Sequence, residues 1–229
     1  MPDTISALAA AVTAARATNT ALDGSQSPWS QLDLAAAVAV SDEVLDAIGA
    51  AGSSFWKLGA VDEPTQVRLG LPGPITAPLV PGAVTCDVIR TTVRLAELLK
   101  PKFEPEIGVQ IVDGQLLAMP CVEVADSRFA EWRLPPFGVI ADAALQGQML
   151  FGIPVPAPES VTVTVSHDSE VKAVGSGSWA DAIARLVLID KDAAPTQVAT
   201  GSLTQLFDCE PGLWTFDFGP LGRIDVDVV

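Results

Sequence analysis

Phe103-Glu104-Pro105-Glu106-Ile107, followed after a short apolar run by Asp113-Gly114 and then by Cys121-Val122-Glu123, is the stretch whose reading decides the fold. Side chains two residues apart share one face of a strand, so Glu104 and Glu106 point the same way. Asp-Gly between apolar runs signals a two-residue hairpin turn. If Asp113-Gly114 is that turn, Val112 faces Gln115, and counting outward puts Glu104 opposite Glu123 with Glu106 as its diagonal neighbour. Opposed residues on one face lie about 5 Å apart at Cβ. Three like charges at that distance repel. Protons held at raised pKa, intervening Lys or Arg side chains, or a hard cation would offset them, and an all-oxygen donor set suits Mg²⁺, Mn²⁺ or Ca²⁺. Pro105 and Pro120 each remove a ladder donor and are expected to mark bulges.

The rest of the composition narrows the chemistry. The chain has 229 residues, enough for one large domain or two small ones. Its mean hydropathy is +0.38. The longest uncharged apolar run, Leu34 to Val40, is too short to span a bilayer, and Asp3 stands where a signal peptide carries a basic residue. These features predict a soluble, cytoplasmic protein. A net charge of −15 argues against nucleic acid or an anionic membrane as partner. Cys86, Cys121 and Cys209 are widely spaced and read as reduced thiols rather than a metal pair. His167 is the single histidine, which excludes a multi-histidine zinc site within one chain. Its neighbours Ser166 and Asp168 are adjacent in sequence, the wrong arrangement for a catalytic relay, and a turn after a strand explains it better. No phosphate loop is present.

Along the chain, Ile5, Leu8, Val12 and Ala15 repeat at helical spacing, and Ser30 with Asp33 resembles a capping box before a second helix ending near Gly49. Residues 1–54 read as an N-terminal helical subdomain packed on a β-rich domain, 55–229. The proline-rich stretch from Pro64 to Pro81 reads as a shaped loop. A strand is expected over Asp87 to Leu95, then the hairpin, then a strand from Val161. Gly175-Ser176-Gly177 reads as a turn and Ser178 as a helix cap. Three strands close the chain, at Gln197 to Leu203, Leu213 to Phe218 and Gly222 to Val229. Helices at the front and mostly antiparallel strands behind make an α+β protein.

Several short motifs then fall in a telling order. They are Trp56-Lys57-Leu58-Gly59, Gln66-Val67-Arg68-Leu69-Gly70, Gly73-Pro74-Ile75, Glu104-Pro105-Glu106-Ile107, Val122-Glu123-Val124-Ala125-Asp126-Ser127-Arg128, Ile140-Ala141-Asp142, Thr200-Gly201-Ser202 and Phe218-Gly219-Pro220-Leu221-Gly222. In this order the chain resembles the 2-keto-4-pentenoate hydratase and 4-oxalocrotonate decarboxylase family of the fumarylacetoacetate hydrolase superfamily. The resemblance implies a rolled, mixed β-sheet in a homo-oligomer, with a homologous decarboxylase or hydratase as a further candidate subunit. It implies Mg²⁺ or Mn²⁺ at Glu104, Glu106 and Glu123, a 2-keto acid chelated by that metal, and Lys57 in proton transfer. Flanked by Phe55, Trp56 and Leu58, Lys57 is expected to be desolvated, with its pKa lowered; the alternative is a surface lysine whose stem lies along apolar neighbours. Ser202, Thr204 and Arg128 are candidate substrate-binding residues, with Arg128 also expected to pair with Asp126.

The chain departs from the family pattern in places. A tight hairpin replaces the longer segment between E-x-E and the later Glu. Ala143-Ala144-Leu145 stands where the family shows Asn-Ala-Ser, Val61-Asp62 where it shows Thr-Ser, and Ile75 or Thr76 near the place of an aspartate. The metal set is kept while polar groups around it are lost. A metal-dependent lyase of hydratase or decarboxylase type is the first expectation, with hydration left open. An acylpyruvate-type hydrolase or keto–enol tautomerase is the second, and a non-catalytic relative that assembles with an active one the third.

Overall fold

The hairpin forms in the register read from its turn. In the computed structural model, which describes residues 2–229, Glu104 faces Glu123, Glu106 faces Cys121 and Val112 faces Gln115. Asp113 and Gly114 take φ of 49° and 75°, the two left-handed residues such a tight turn demands. The prolines do not bulge this pair, contrary to expectation. Pro105 faces Val122 and Pro120 faces Ile107 in an unbroken ladder. The irregularities fall on the outer neighbours instead, between Ala199 and Ser202 and between Val124 and Ala125.

In chain order the strands are β1 Phe55–Gly59, β2 Ile75–Pro78, β3 Val84–Thr85, β4 Arg90–Val93, β5 Lys102–Val112, β6 Gln115–Ala125, β7 Gln146–Phe151, β8 Ser160–His167, β9 Glu170–Ser178, β10 Gln197–Ser202, β11 Phe207–Asp208, β12 Gly212–Asp217 and β13 Arg223–Val228. The helices are α1 Pro2–Thr18, α2 Leu34–Ala47, α3 Glu63–Leu69, α4 Gly138–Ala141 and α5 Trp179–Ala184. One sheet runs β2-β1-β10-β5-β6-β7-β3, with β11 also on β5; the second runs β4-β13-β12-β8-β9. The pairs β1/β10, β3/β7 and β4/β13 are parallel and the others antiparallel.

Strand alternation divides the hairpin's two faces between packing and chemistry. Phe103, Ile107, Val122 and Val124 face the second sheet and meet Val163, Val165, Phe216 and Ile224 in one buried cluster. Phe103 sets its ring edge against Phe216 at 5.2 Å. Each such fully buried side chain contributes about 1.5–3 kcal/mol. The opposite face carries Glu104, Glu106 and Glu123. The core between the sheets therefore holds rigid the strands on which the carboxylates stand.

Both N-terminal helices form. Leu8, Val12, Val40 and Val44 pack in one cluster with Phe129, Ala141 and Ala143 of the β-rich part. The cap of α2 is Asp33, which accepts from Ala36 N at 2.7 Å, rather than Ser30. The stretch 64–81 is more regular than its prolines suggest. Asp62 accepts from Thr65 N at 2.9 Å, Pro64 sits in the first turn where no donor is needed, and Gly70 at φ 65° ends the helix. Gly175 and Gly177 lie inside β9, not in a turn; a Cβ on Gly175 would come within 2.3 Å of Leu203 O. The predicted strand at 87–95 shortens to Arg90–Val93. Among the described residues no helix is long and apolar enough to cross a membrane.

Candidate active site

Glu104, Glu106 and Glu123 each offer a carboxylate oxygen, and these oxygens lie within 4.8 Å of one another. Glu104 is half-buried, while Glu106 and Glu123 are buried. The bulge in β10 shapes the site from the side. Gly201, at φ 99°, turns its N–H onto Glu106 Oε2 at 2.6 Å. Glu106 Oε1 is buried with no hydrogen-bond partner. An all-oxygen set of three carboxylates with an unpartnered buried oxygen suits a hard divalent cation.

Lys57 comes in from β1, a strand joined to the hairpin through β10. Its side chain is buried, donating from Nζ to Glu123 Oε1 and to Ala144 O, the latter at 2.9 Å. Lys57 is desolvated as expected, but its pKa moves the other way. Burial works against the ammonium, yet Glu123, Glu104 and Glu106 together outweigh it and hold the pKa above the ordinary lysine value. Burial and then the charge of Glu123 push the Glu104 carboxyl up to about 7. Burial, Glu123 and Glu104 push Glu106 well above the usual carboxylate range. Burial also raises Glu123, with Lys57 opposing it.

These groups open on a cavity of about 630 Å³. Lys57, Glu104, Glu123, Ser202 and Thr204 line it. Ser202 Oγ donates to Thr204 O at 2.9 Å and Thr204 Oγ1 to Gln205 O at 2.9 Å, so both hydroxyls also shape the loop that follows β10. Arg128 does not line the cavity. It is buried between Asp126, at 3.4 Å, and Asp142, at 3.3 Å, which claim its guanidinium. The expected Asp126 pair is present, and Arg128 stands apart from the residues that line the cavity.

Three lining residues carry signals that sequence reading passed over. Arg68, on α3, has no ion-pair partner among the described residues and its charge reaches Glu104. Lys102 pairs with Asp208 and lies 5.5 Å from the ring centre of Trp132. Trp132 forms part of the wall instead of the core its type suggests. The spacing of Arg68 from the Asp62 cap could have placed it on a helix beside the site.

Ala144 and Leu145 also line the cavity. Ala143, Ala144 and Leu145 are consecutive left-handed residues, at φ 47°, 59° and 58°. Each such non-glycine residue costs roughly 1–2 kcal/mol. Asp142, just before them, is fully buried and accepts from Arg128 N at 2.7 Å.

No protein-family model matches the chain, and no curated protein does. Solved structures do. The chain is similar to 4-oxalocrotonate decarboxylase from Pseudomonas putida G7 complexed with magnesium and adipate, at a TM-score of 0.86 and 22% identity, over 100% of this chain and 98% of that one. The same enzyme complexed with calcium and acetate gives 0.84 at 22% identity over the same shares. Fumarylpyruvate hydrolase from Pseudomonas aeruginosa, in complex with Mn²⁺ and pyruvate, is a more distant likeness, at 0.54 and 15% identity over 76% of this chain and 88% of that one. The order of motifs in the sequence is thus matched by the arrangement of strands: over its whole length the chain has the fold of 4-oxalocrotonate decarboxylase, a fumarylacetoacetate-hydrolase-like mixed β-sheet roll.

Proposed function

We propose that the chain is a divalent-metal-dependent lyase acting on a 2-keto acid, of the decarboxylating type. The observation that carries this reading is the cluster of three carboxylates with one unpartnered buried oxygen, beside a buried lysine and open to a cavity. Glu104, Glu106 and Glu123 would hold Mg²⁺ or Mn²⁺. The cation, when bound, supplies the positive charge that stabilises the enolate of a 2-keto acid.

The chain's own residues do the rest. Lys57 Nζ, buried beside Glu123, serves as the proton donor to carbon and, in the reverse step, takes a proton from carbon. When a second carboxylate, on the carbon next to the keto carbonyl or conjugated with it, leaves as CO₂, the electron pair of the broken bond stays with the keto acid as an enolate, and the carbon that lost CO₂ takes a proton from Lys57 Nζ. Ala144, Leu145, Val139 and Leu134 make one stretch of the cavity wall apolar, and that stretch supports loss of CO₂ over hydration. Arg68 offers a charge to a second carboxylate at the substrate's far end. The adipate, acetate and pyruvate in the similar structures support small carboxylic acids as ligands of this fold.

Calorimetry of the dialysed protein tests the reading. Mg²⁺ or Mn²⁺ should bind, Glu123→Ala should abolish the heat, and oxalate, an enolate mimic, should bind only with metal present. No metal binding by the wild type sinks the proposal. An ultraviolet screen of oxalocrotonate, 2-hydroxydienoates and acylpyruvates then separates decarboxylation from hydration and from hydrolysis.

A further inference from the structure

The N-terminal helix reaches the cavity wall through one side chain. Arg16 stands in the last turn of α1. Its Nη1 donates to Gln146 O at 2.9 Å, and its Nη2 donates to Asp142 O at 2.9 Å and Asp142 Oδ1 at 3.1 Å. These acceptors bracket Ala143, Ala144 and Leu145, the left-handed run of the wall. None of the three is glycine, so each resists this backbone conformation, and such a run persists only where its surroundings over-determine it.

The run matters because of what its middle carbonyl does. Ala144 O accepts from Lys57 Nζ. The other acceptor of Lys57 is Glu123, a carboxylate needed for the cation in the function proposed above. Ala144 O is therefore the anchor that Lys57 does not share with a metal. Asp142 has further support from Arg128, through N at 2.7 Å and Nε at 3.3 Å. Gln146 Nε2 donates to Ala143 O at 3.2 Å. What Arg16 adds is one planar guanidinium that donates to the backbone carbonyls at both ends of the run, Asp142 O and Gln146 O.

We propose that Arg16 is a positioning residue: by clamping both ends of the left-handed turn 143–145 it fixes the Ala144 carbonyl and, through it, aims Lys57 Nζ at the reacting carbon. The helix α1 is then a working part of the site and not an appended support. The catalytic half of this inference rests on the reading of Lys57 as proton donor; the clamp does not.

Two variants and two measurements test it. Arg16→Lys keeps a charge beside Asp142 but cannot bridge both carbonyls. Val12→Ala removes a fully buried side-chain contact of the same helix and leaves the three hydrogen bonds of Arg16 in place. In the metal-free protein, Leu145 N donates to Asp142 O and Asp126 N to Leu145 O, so these two amides report the turn. Their hydrogen exchange should quicken by about tenfold in Arg16→Lys and not in Val12→Ala. In the Mg²⁺-loaded protein, deuterium incorporation into the methyl group of pyruvate reads proton transfer at carbon. Its kcat should fall by about 10²-fold in Arg16→Lys, with KM and oxalate affinity unchanged, while Val12→Ala keeps the wild-type kcat. Unchanged amide exchange in Arg16→Lys overturns the clamp. Faster amide exchange with unchanged kcat overturns its role in positioning Lys57. A wild-type protein that binds oxalate with Mg²⁺ but incorporates no deuterium overturns the reading of Lys57, while the amide result still decides the clamp.

Discussion

Lys57 sits at 4% exposure among three carboxylates, and the balance of charge in the site turns on it. Replacing it by Met leaves Glu123 buried without its partner. Breaking a buried pair costs on the order of 3–5 kcal/mol. Urea unfolding of metal-free Lys57→Met should show a loss of that size at neutral pH and a smaller one near pH 5, where the carboxyls hold protons. Mg²⁺ binding should survive while deuterium incorporation into pyruvate is lost. A second expectation concerns Arg68, whose guanidinium has no carboxylate partner among the described residues. Arg68→Met should weaken binding of 2-ketoadipate by about tenfold, the worth of one charged hydrogen bond, and leave oxalate affinity unchanged, as read by calorimetry. The glutamates were legible in the sequence because strand alternation and an Asp-Gly turn leave one register. The state of Lys57 was not. Its flanking apolar residues announce burial, but the charge that reverses the shift stands 66 residues away.

At the scale of elements, the bulge in β10 is the most exposed to a single change. A Cβ on Gly201 would meet Val61 Cγ2 at 2.6 Å, and its φ of 99° is closed to other residues. Gly201→Ala should cost more than about 1 kcal/mol in denaturant unfolding. It should also weaken Mg²⁺ binding, because the displaced N–H is the donor to Glu106 Oε2. Sequence reading found the strands on either side of this bulge and missed what lies between other strands. The helix α3 was hidden by the prolines of its stretch, yet only Pro64 falls in it, in the first turn, where a missing donor costs nothing. The left-handed turn at 143–145 gave no signal at all, since its residues are Ala-Ala-Leu and the groups that hold it come from Arg16 and Gln146. Local propensity cannot register a conformation imposed by a side chain more than a hundred positions away.

For the whole molecule, the raised carboxylates tie folding to pH. The Glu104 carboxyl is held at about 7 in the fold against an ordinary 4.5. Between those values the folded protein keeps a proton that the unfolded chain has released, so stability is full at low pH and lost as pH rises through about 7. Glu106 and Glu123 act in the same direction. The melting temperature of metal-free protein should therefore fall from about pH 5 to about pH 7.5, measured in moderate salt so that the net charge of −15 is screened. Mg²⁺ at about 100 times its Kd should return about 2.7 kcal/mol, roughly 5–10 °C for a chain of this size. At one fixed Mg²⁺ concentration the gain should be larger at the higher pH, because protons and the cation compete for the same oxygens.

The hairpin also bears on the order in which the molecule comes together. All three acidic side chains of the site lie on two strands joined by a two-residue turn, so closing one short loop brings Glu104 opposite Glu123. Contacts this local form early, whereas the β1 and β10 pairing that delivers Lys57 and Gly201 waits on long loops. During folding, then, a nascent chain presents its acidic cradle before the lysine that neutralises it arrives, and a cation in the surrounding solution can take up that role on the way to the native state.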